Sequence, residues 1–171
     1  MNRRQLLTTA AGTLTLAALA GCAPNRFKTY DGPPVTQIVV NKSARQMFLL
    51  SGTSVLKSYR FGLGWAPEGD KFFEGDGRTP EGNYFIDRRN PNSEYHLSIG
   101  VSYPDPSDVA EAALVGRSAG SDIFIHGRGP EGNRKVKDDW DWTAGCITVS
   151  DDEIEDIYAM VRDGTPIQIN P

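Results

Sequence analysis

The chain is 171 residues long, with 39% hydrophobic and 23% charged residues, ordinary values for one soluble domain preceded by an export segment. Its formal charge is -4 and it has no block of lysines or arginines, so the basic footprint of a nucleic-acid binder is excluded. Its 18 glycines and 11 prolines favour short strands joined by turns over long helices.

Residues 1–22 read as an export signal rather than as part of the fold. Asn2-Arg3-Arg4-Gln5 is a cationic lead-in, and residues 6–20 are an apolar stretch too short to span a membrane. Leu19-Ala20-Gly21-Cys22 resembles the bacterial lipobox, in which the cysteine is acylated and becomes the mature N-terminus. That resemblance implies lipidation at Cys22 and a periplasmic domain anchored to a membrane. Ala23, where a retention aspartate often stands, points to the outer membrane. Arg3-Arg4 before Gln5-Leu6-Leu7 is similar to a twin-arginine signal, and both export routes stay open. Cleavage before Cys22 removes two arginines and no acid, taking the formal charge from -4 to -6. It also leaves Cys146 as an unpaired thiol in an exported protein, which marks it as reactive.

Residues 23–34, with Pro24, Gly32, Pro33 and Pro34, read as a tether. One mostly β domain then spans residues 35–170. Residues 37–40 and 46–50 flank Asn41-Lys42-Ser43-Ala44 as a hairpin, and residues 55–62 form a third strand after the Ser51-Gly52 turn. The glycine- and proline-containing run 64–82 reads as a long exposed loop. Residues 84–86, 95–101 and 123–125 supply further strands rich in β-branched and aromatic side chains. Two segments look helical. Residues 108–115 carry Ser107 or Asp108 as a cap. Residues 151–162 begin with a Ser150–Glu153 capping box, and Ile154, Ile157, Tyr158 and Val161 repeat at helical spacing. Gly164 ends that helix, and residues 166–169 make a last strand.

Chemistry concentrates between residues 123 and 150. A nucleophilic cysteine needs a nearby base and N–H donors aimed at the developing oxyanion. His126 at a strand end can supply the base. Gly145 permits close approach of a carbonyl, and the amides at Gly145 and Cys146 are the candidate donors. His126-Gly127 stands before Thr143-Ala144-Gly145-Cys146, with 16 residues (127–142) between His126 and Thr143. This resembles the motif of the L,D-transpeptidases, the YkuD family: a histidine, a spacer, then Ser or Thr, His, Gly and Cys. Gly75-Asp76-Gly77-Arg78-Thr79-Pro80-Glu81-Gly82 resembles a second segment of that family, and the likeness covers the whole domain.

The resemblance implies a β-sandwich with one or two short helices and a peptidoglycan stem tetrapeptide as substrate. Cys146 would attack the diaminopimelate carbonyl, with His126 as base and a backbone carbonyl orienting its imidazole. The thioester would pass to an amine, including that of a protein or a D-amino acid, or to water. No metal or organic cofactor is implied. Gly127, Arg128, Trp142 and Thr143 are candidate substrate contacts. Two positions depart from the motif: Ala144 replaces the second histidine, and Thr148 stands where an arginine is common. Arg128, Arg134 or Arg117 could supply the missing guanidinium from a loop. His96 reads as structural rather than substrate-orienting, and Trp140 and Trp142 as either groove lining or packing. Thr79-Pro80-Glu81-Gly82 reads as a shaping turn. Two other readings stay open: a hydrolytic relative (an L,D-carboxypeptidase or an amidase releasing wall-linked protein) and a non-catalytic peptidoglycan-binding lipoprotein. A papain-like peptidase has the opposite Cys–His order, and a zinc peptidase would need more ligands than two distant histidines supply.

Overall fold

The structure is a computed structural model and describes residues 25–137 and 140–171. The expected signal segment and the lipidation candidate Cys22 lie outside the described residues. Eight strands form one curled sheet: β1 (Gln37–Asn41), β2 (Gln46–Ser51), β3 (Ser54–Arg60), β4 (Gly82–Asn90), β5 (Ser98–Val101), β6 (Phe124–His126), β7 (Ile147–Thr148) and β8 (Pro166–Asn170). Their order is β3-β2-β1-β8-β4-β5-β6-β7, so β8 joins the N-terminal hairpin to the half that carries His126.

Period-two alternation explains the hairpin. Ile38, Val40, Met47 and Leu49 turn to the core while their neighbours stay partly solvated. β8 lies parallel to β1 and antiparallel to β4, adding Ile167 and Ile169 to the same face. The register of β4 shifts between Ile86 and Arg88, where the two halves of the sheet meet. The chain after β3 closes the curl: the Gly62 and Thr148 amides each donate to the other's carbonyl at 2.9 Å, and Thr143 N–H donates to Leu63 O at 3.2 Å. All four residues of β5 are buried. The helix Asp151–Met160 packs across β5 and β6 through Ile154, Ile157 and Met160.

Among the described residues, three helices stand where one or two were expected: α1 (Pro106–Leu114), α2 (Gly129–Lys135) and α3 (Asp151–Met160). The α3 capping box is present as the sequence predicts, with Ser150 and Glu153 serving each other's backbone N–H. The helix itself stops at Met160, before Gly164. The cap of α1 is Asp105, upstream of the residues expected, because Pro106 occupies the first helical turn where no N–H is needed. α2 falls in the spacer between His126 and Thr143, outside the two segments that look helical in the sequence. Its N-terminus has no side-chain cap, and Glu131 and Lys135 pair one turn apart at 2.6 Å.

The run 64–82 is not simply an exposed loop. Lys71 and Thr79 are buried, and Lys71 Nζ pairs with Asp76 at 2.8 Å. The Asp76 carboxylate also accepts the amides of Phe72, Phe73 and Arg78. Residues 25–34 lie along the domain, where Lys28 Nζ meets Asp152 at 2.6 Å and Asp156 at 2.9 Å on α3.

Candidate active site

His126 ends β6, and Cys146 directly precedes β7, its parallel neighbour. Adjacent strands thus deliver the two residues to one cavity of about 360 Å³, whose walls include Tyr95, Asp122 and Phe124. His126 Nδ1 lies 2.6 Å from Gly127 O. A carbonyl only accepts, so Nδ1 carries the proton and Nε2 keeps its lone pair. The ring is buried, with the Tyr95 ring 4.7 Å away at 30° and the Trp142 ring 5.8 Å away at 69°. Burial pushes the imidazole pKa down to about 4, against the opposing pull of the Gly127 carbonyl.

The Cys146 thiol is free and partly accessible. Sγ lies 3.4 Å from Asp122 O, to which S–H donates. Burial raises its pKa above that of an ordinary thiol. The Phe124 N–H opposes that rise, the Asp122 charge adds to it, and Lys71 and Arg88 pull it back. Both shifts favour the neutral form of the group concerned, the thiol of Cys146 and the imidazole of His126.

The turn that carries the thiol is fixed by its own backbone. Gly145 has φ +131°, and a Cβ there would come within 2.5 Å of Arg78 O, so only glycine fits. Thr79 Oγ1 donates to Gly145 O at 2.8 Å. Thr143 Oγ1 donates to Cys146 O at 2.7 Å and accepts from Gly145 N at 3.2 Å. Of the two candidate oxyanion amides, Gly145's is thus engaged. Cys146's donates to no acceptor among the described residues.

Gly127, Arg128, Trp142 and Thr143 do not line the cavity; the Gly127 carbonyl and the Trp142 ring touch His126, and Thr143 binds the Cys146 carbonyl. Arg128 turns its guanidinium over the Trp140 ring at 5.5 Å, and its Nε is buried without a hydrogen bond. Arg134 is exposed on α2, and Arg117 lies over the Phe73 ring at 4.3 Å. None of the three supplies the cavity with a guanidinium. Arg88 instead touches two residues of the cavity wall, stacked on Phe124 at 4.6 Å with Nη2 3.4 Å from Asp122. His96 Nε2 pairs with Glu155 at 2.7 Å outside the cavity, the structural role expected of it. Sequence reasoning missed Tyr95, Phe124 and Asp122. Only Asp122 leaves a local trace, as an aspartate before a strand in the left-handed region (φ 62°) that this residue tolerates.

The L,D-transpeptidase catalytic domain model (YkuD) matches residues 35–169. The comparison with curated proteins gives no match. Among solved structures, the helical cell shape determining protein Pgp2 from Campylobacter jejuni superposes with a TM-score of 0.61 at 23% identity, over 82% of this chain and 49% of that one. L,D-transpeptidase 1 of Mycobacterium tuberculosis gives 0.51 at 16% identity, over 80% of this chain and 62% of that one. An L,D-transpeptidase from Mycobacterium smegmatis gives 0.53 at 17%, over 80% and 59%. The chain thus spans about half the length of the Campylobacter protein and about three-fifths of the mycobacterial ones.

Proposed function

The chain belongs to the L,D-transpeptidase catalytic-domain family, and from that premise we propose that it is a peptidoglycan L,D-transpeptidase working through a thioester on Cys146. The observation that carries this reading is the 2.6 Å contact between His126 Nδ1 and Gly127 O, which leaves Nε2 as a base in the cavity that Cys146 lines. Nε2 takes the thiol proton as Sγ bonds to the diaminopimelate carbonyl carbon of a stem tetrapeptide. The Cys146 amide faces the developing oxyanion. As the tetrahedral intermediate collapses, the C–N bond to D-alanine breaks and the imidazolium returns its proton to the leaving amine. An amine from a second stem, a protein or a D-amino acid then attacks the thioester carbonyl, the C–S bond breaks, and the proton lost by the amine passes through His126 Nε2 to the departing Cys146 thiolate. Export on an acylated Cys22 to the periplasmic face of the outer membrane belongs to the same proposal, and palmitate labelling lost in Cys22→Ser tests it. A role in cell shape, as in the name of the Campylobacter protein, also stands as a proposal.

One observation favours hydrolysis as a second reading. Thr148, at the position of the motif arginine, is 1% exposed and leaves the cavity wall without that guanidinium to hold a carboxylate. Disaccharide-tetrapeptide incubated with the protein separates the two by mass spectrometry. Cross-linked dimers or D-amino-acid exchange, absent in Cys146→Ala, mean transfer; tripeptide with free D-alanine alone means hydrolysis. No product on this substrate or on sacculi carrying bound protein, with Cys146 inert to a carbapenem, would overturn both and leave a wall-binding lipoprotein.

A further inference from the structure

Cys146 and Asp122 also line a second cleft, of about 380 Å³, with Lys71, Gly75 and Ala144. Gly75 in turn lines a third hollow, of about 630 Å³, walled by Trp65, Phe72, Phe73, Asp76 and Arg78. The cleft beside the nucleophile and a surface hollow that the proposed chemistry does not use thus share Gly75 in their walls. The floor of the hollow is aromatic and open: Trp65 is 59% exposed and Phe72 41%. Large aromatic surface left to solvent on a small domain marks a binding face.

The geometry of Trp65 narrows the ligand. A Cβ on Gly77 would fall 2.2–2.6 Å from three atoms of the indole, so the bare Gly77 backbone lies directly under the ring. One face of the indole is thus packed on the protein and much of the side chain remains open to solvent. The platform is also tied to the nucleophile turn: Trp65 N–H donates to Thr143 O at 3.0 Å, and Ala66 N–H to Gly77 O at 3.2 Å. A ligand seated on Trp65 would therefore stand at a fixed distance from Cys146. The charges in the wall are largely engaged. Asp76 is held by Lys71 and three amides, and Arg78 Nη1 donates to Asp70 O at 3.3 Å. What remains is a flat apolar floor with spare guanidinium N–H donors at the rim. That combination suits a neutral ring with a C–H face and peripheral oxygens, which is the chemistry of a pyranose.

We infer that the Trp65–Phe72 hollow binds the aminosugar backbone of the glycan strand and so presents an attached stem peptide to Cys146. The inference rests on the proposed action on peptidoglycan, but its test does not use that activity. The probe is tetra-N-acetylchitotetraose, a neutral aminosugar chain without peptide, titrated into the full chain and followed by tryptophan fluorescence and by amide shifts of residues 65–78. Saturable binding is expected, weakened about tenfold or more in Trp65→Ala and largely kept in Trp65→Phe, since a phenyl ring retains a stacking face. Iodoacetamide alkylation of Cys146 should stay within about twofold of wild type in Trp65→Ala, showing an intact nucleophile turn. If that variant fails to fold, Phe72→Ala, which removes the smaller ring of the same floor, takes its place. No binding by wild type, or binding indifferent to both Trp65 and Phe72, overturns the inference. Binding of a sugar-free stem peptide that shifts residues 65–78 and is lost in Trp65→Ala overturns it too, because the face would then belong to peptide. Sugar binding without any thioester chemistry would instead sink the transferase and hydrolase readings and leave the platform standing.

Discussion

His126 is 3% exposed, and protonating its Nε2 would place a charge between Tyr95, Trp142 and strand backbone. An unfolded histidine titrates near 6.5, whereas this one is held down to about 4. Between those values the unfolded chain binds the extra proton, so this contribution to stability is complete above pH ~6.5 and is lost as the pH falls from there to ~4. Its size is about 3 kcal/mol, from about 1.4 kcal/mol per pKa unit. Urea unfolding at pH ~7 and ~4.5 should show wild type losing more stability than His126→Gln; equal losses would contradict the assignment. The same burial denies Cys146 a ready-made thiolate. Its alkylation by iodoacetamide should rise about tenfold per pH unit from neutral to mildly alkaline pH, and a plateau near pH ~6 would reveal a thiolate–imidazolium pair instead. At Thr79, replacement by valine removes the buried donor to Gly145 O, at a cost of about 1–3 kcal/mol. The acylation rate should fall further than the lost stability explains, because the turn would no longer hold Cys146 in place. Both reacting residues were legible in the sequence because few residue types can do this chemistry and the chain has two histidines and two cysteines. Tyr95 and Phe124 were not, since nothing in a local pattern says which aromatic residues will wall a cavity built from several strands.

Among the elements, the run 64–82 shows most clearly what one-dimensional reading misses. Its glycines and prolines suggest a solvated loop, yet it closes around the buried Lys71–Asp76 pair and seats Arg78 and Thr79 against Gly145. Removing one partner of a buried pair costs about 3–5 kcal/mol. Asp76→Ala should reach that range because it also strands three amides, while Lys71→Met should cost less because those amides still serve the carboxylate. Chemical denaturation of both variants decides the order. Other elements were readable for definite reasons. The hairpin has strict alternation, and α3 combines a capping box with apolar residues at helical spacing. α2 escaped because Gly129, Pro130, Gly132 and Asn133 are poor helix formers. Gly132 is instead required by packing, since a Cβ there would meet the Trp142 ring at 2.6 Å.

Across the whole molecule, the hairpin β1–β2 and the half that carries Cys146 meet in the sheet through β8. Ile167 and Ile169 are 1% and 2% exposed, and Ile167→Ala should cost about 2–5 kcal/mol, measured by urea unfolding. A loss below ~1 kcal/mol would mean that β8 is not the joint its position suggests. The order in which the strands are synthesised gives this arrangement a further meaning. Residues 166–170 leave the ribosome after the other seven strands of this sheet, yet they fill its middle. Pairings this distant along the chain form slowly, because loop closure must precede any gain from the contacts. A nascent chain therefore keeps the hairpin and the half that carries Cys146 unjoined in the sheet until residues 166–170 have been made.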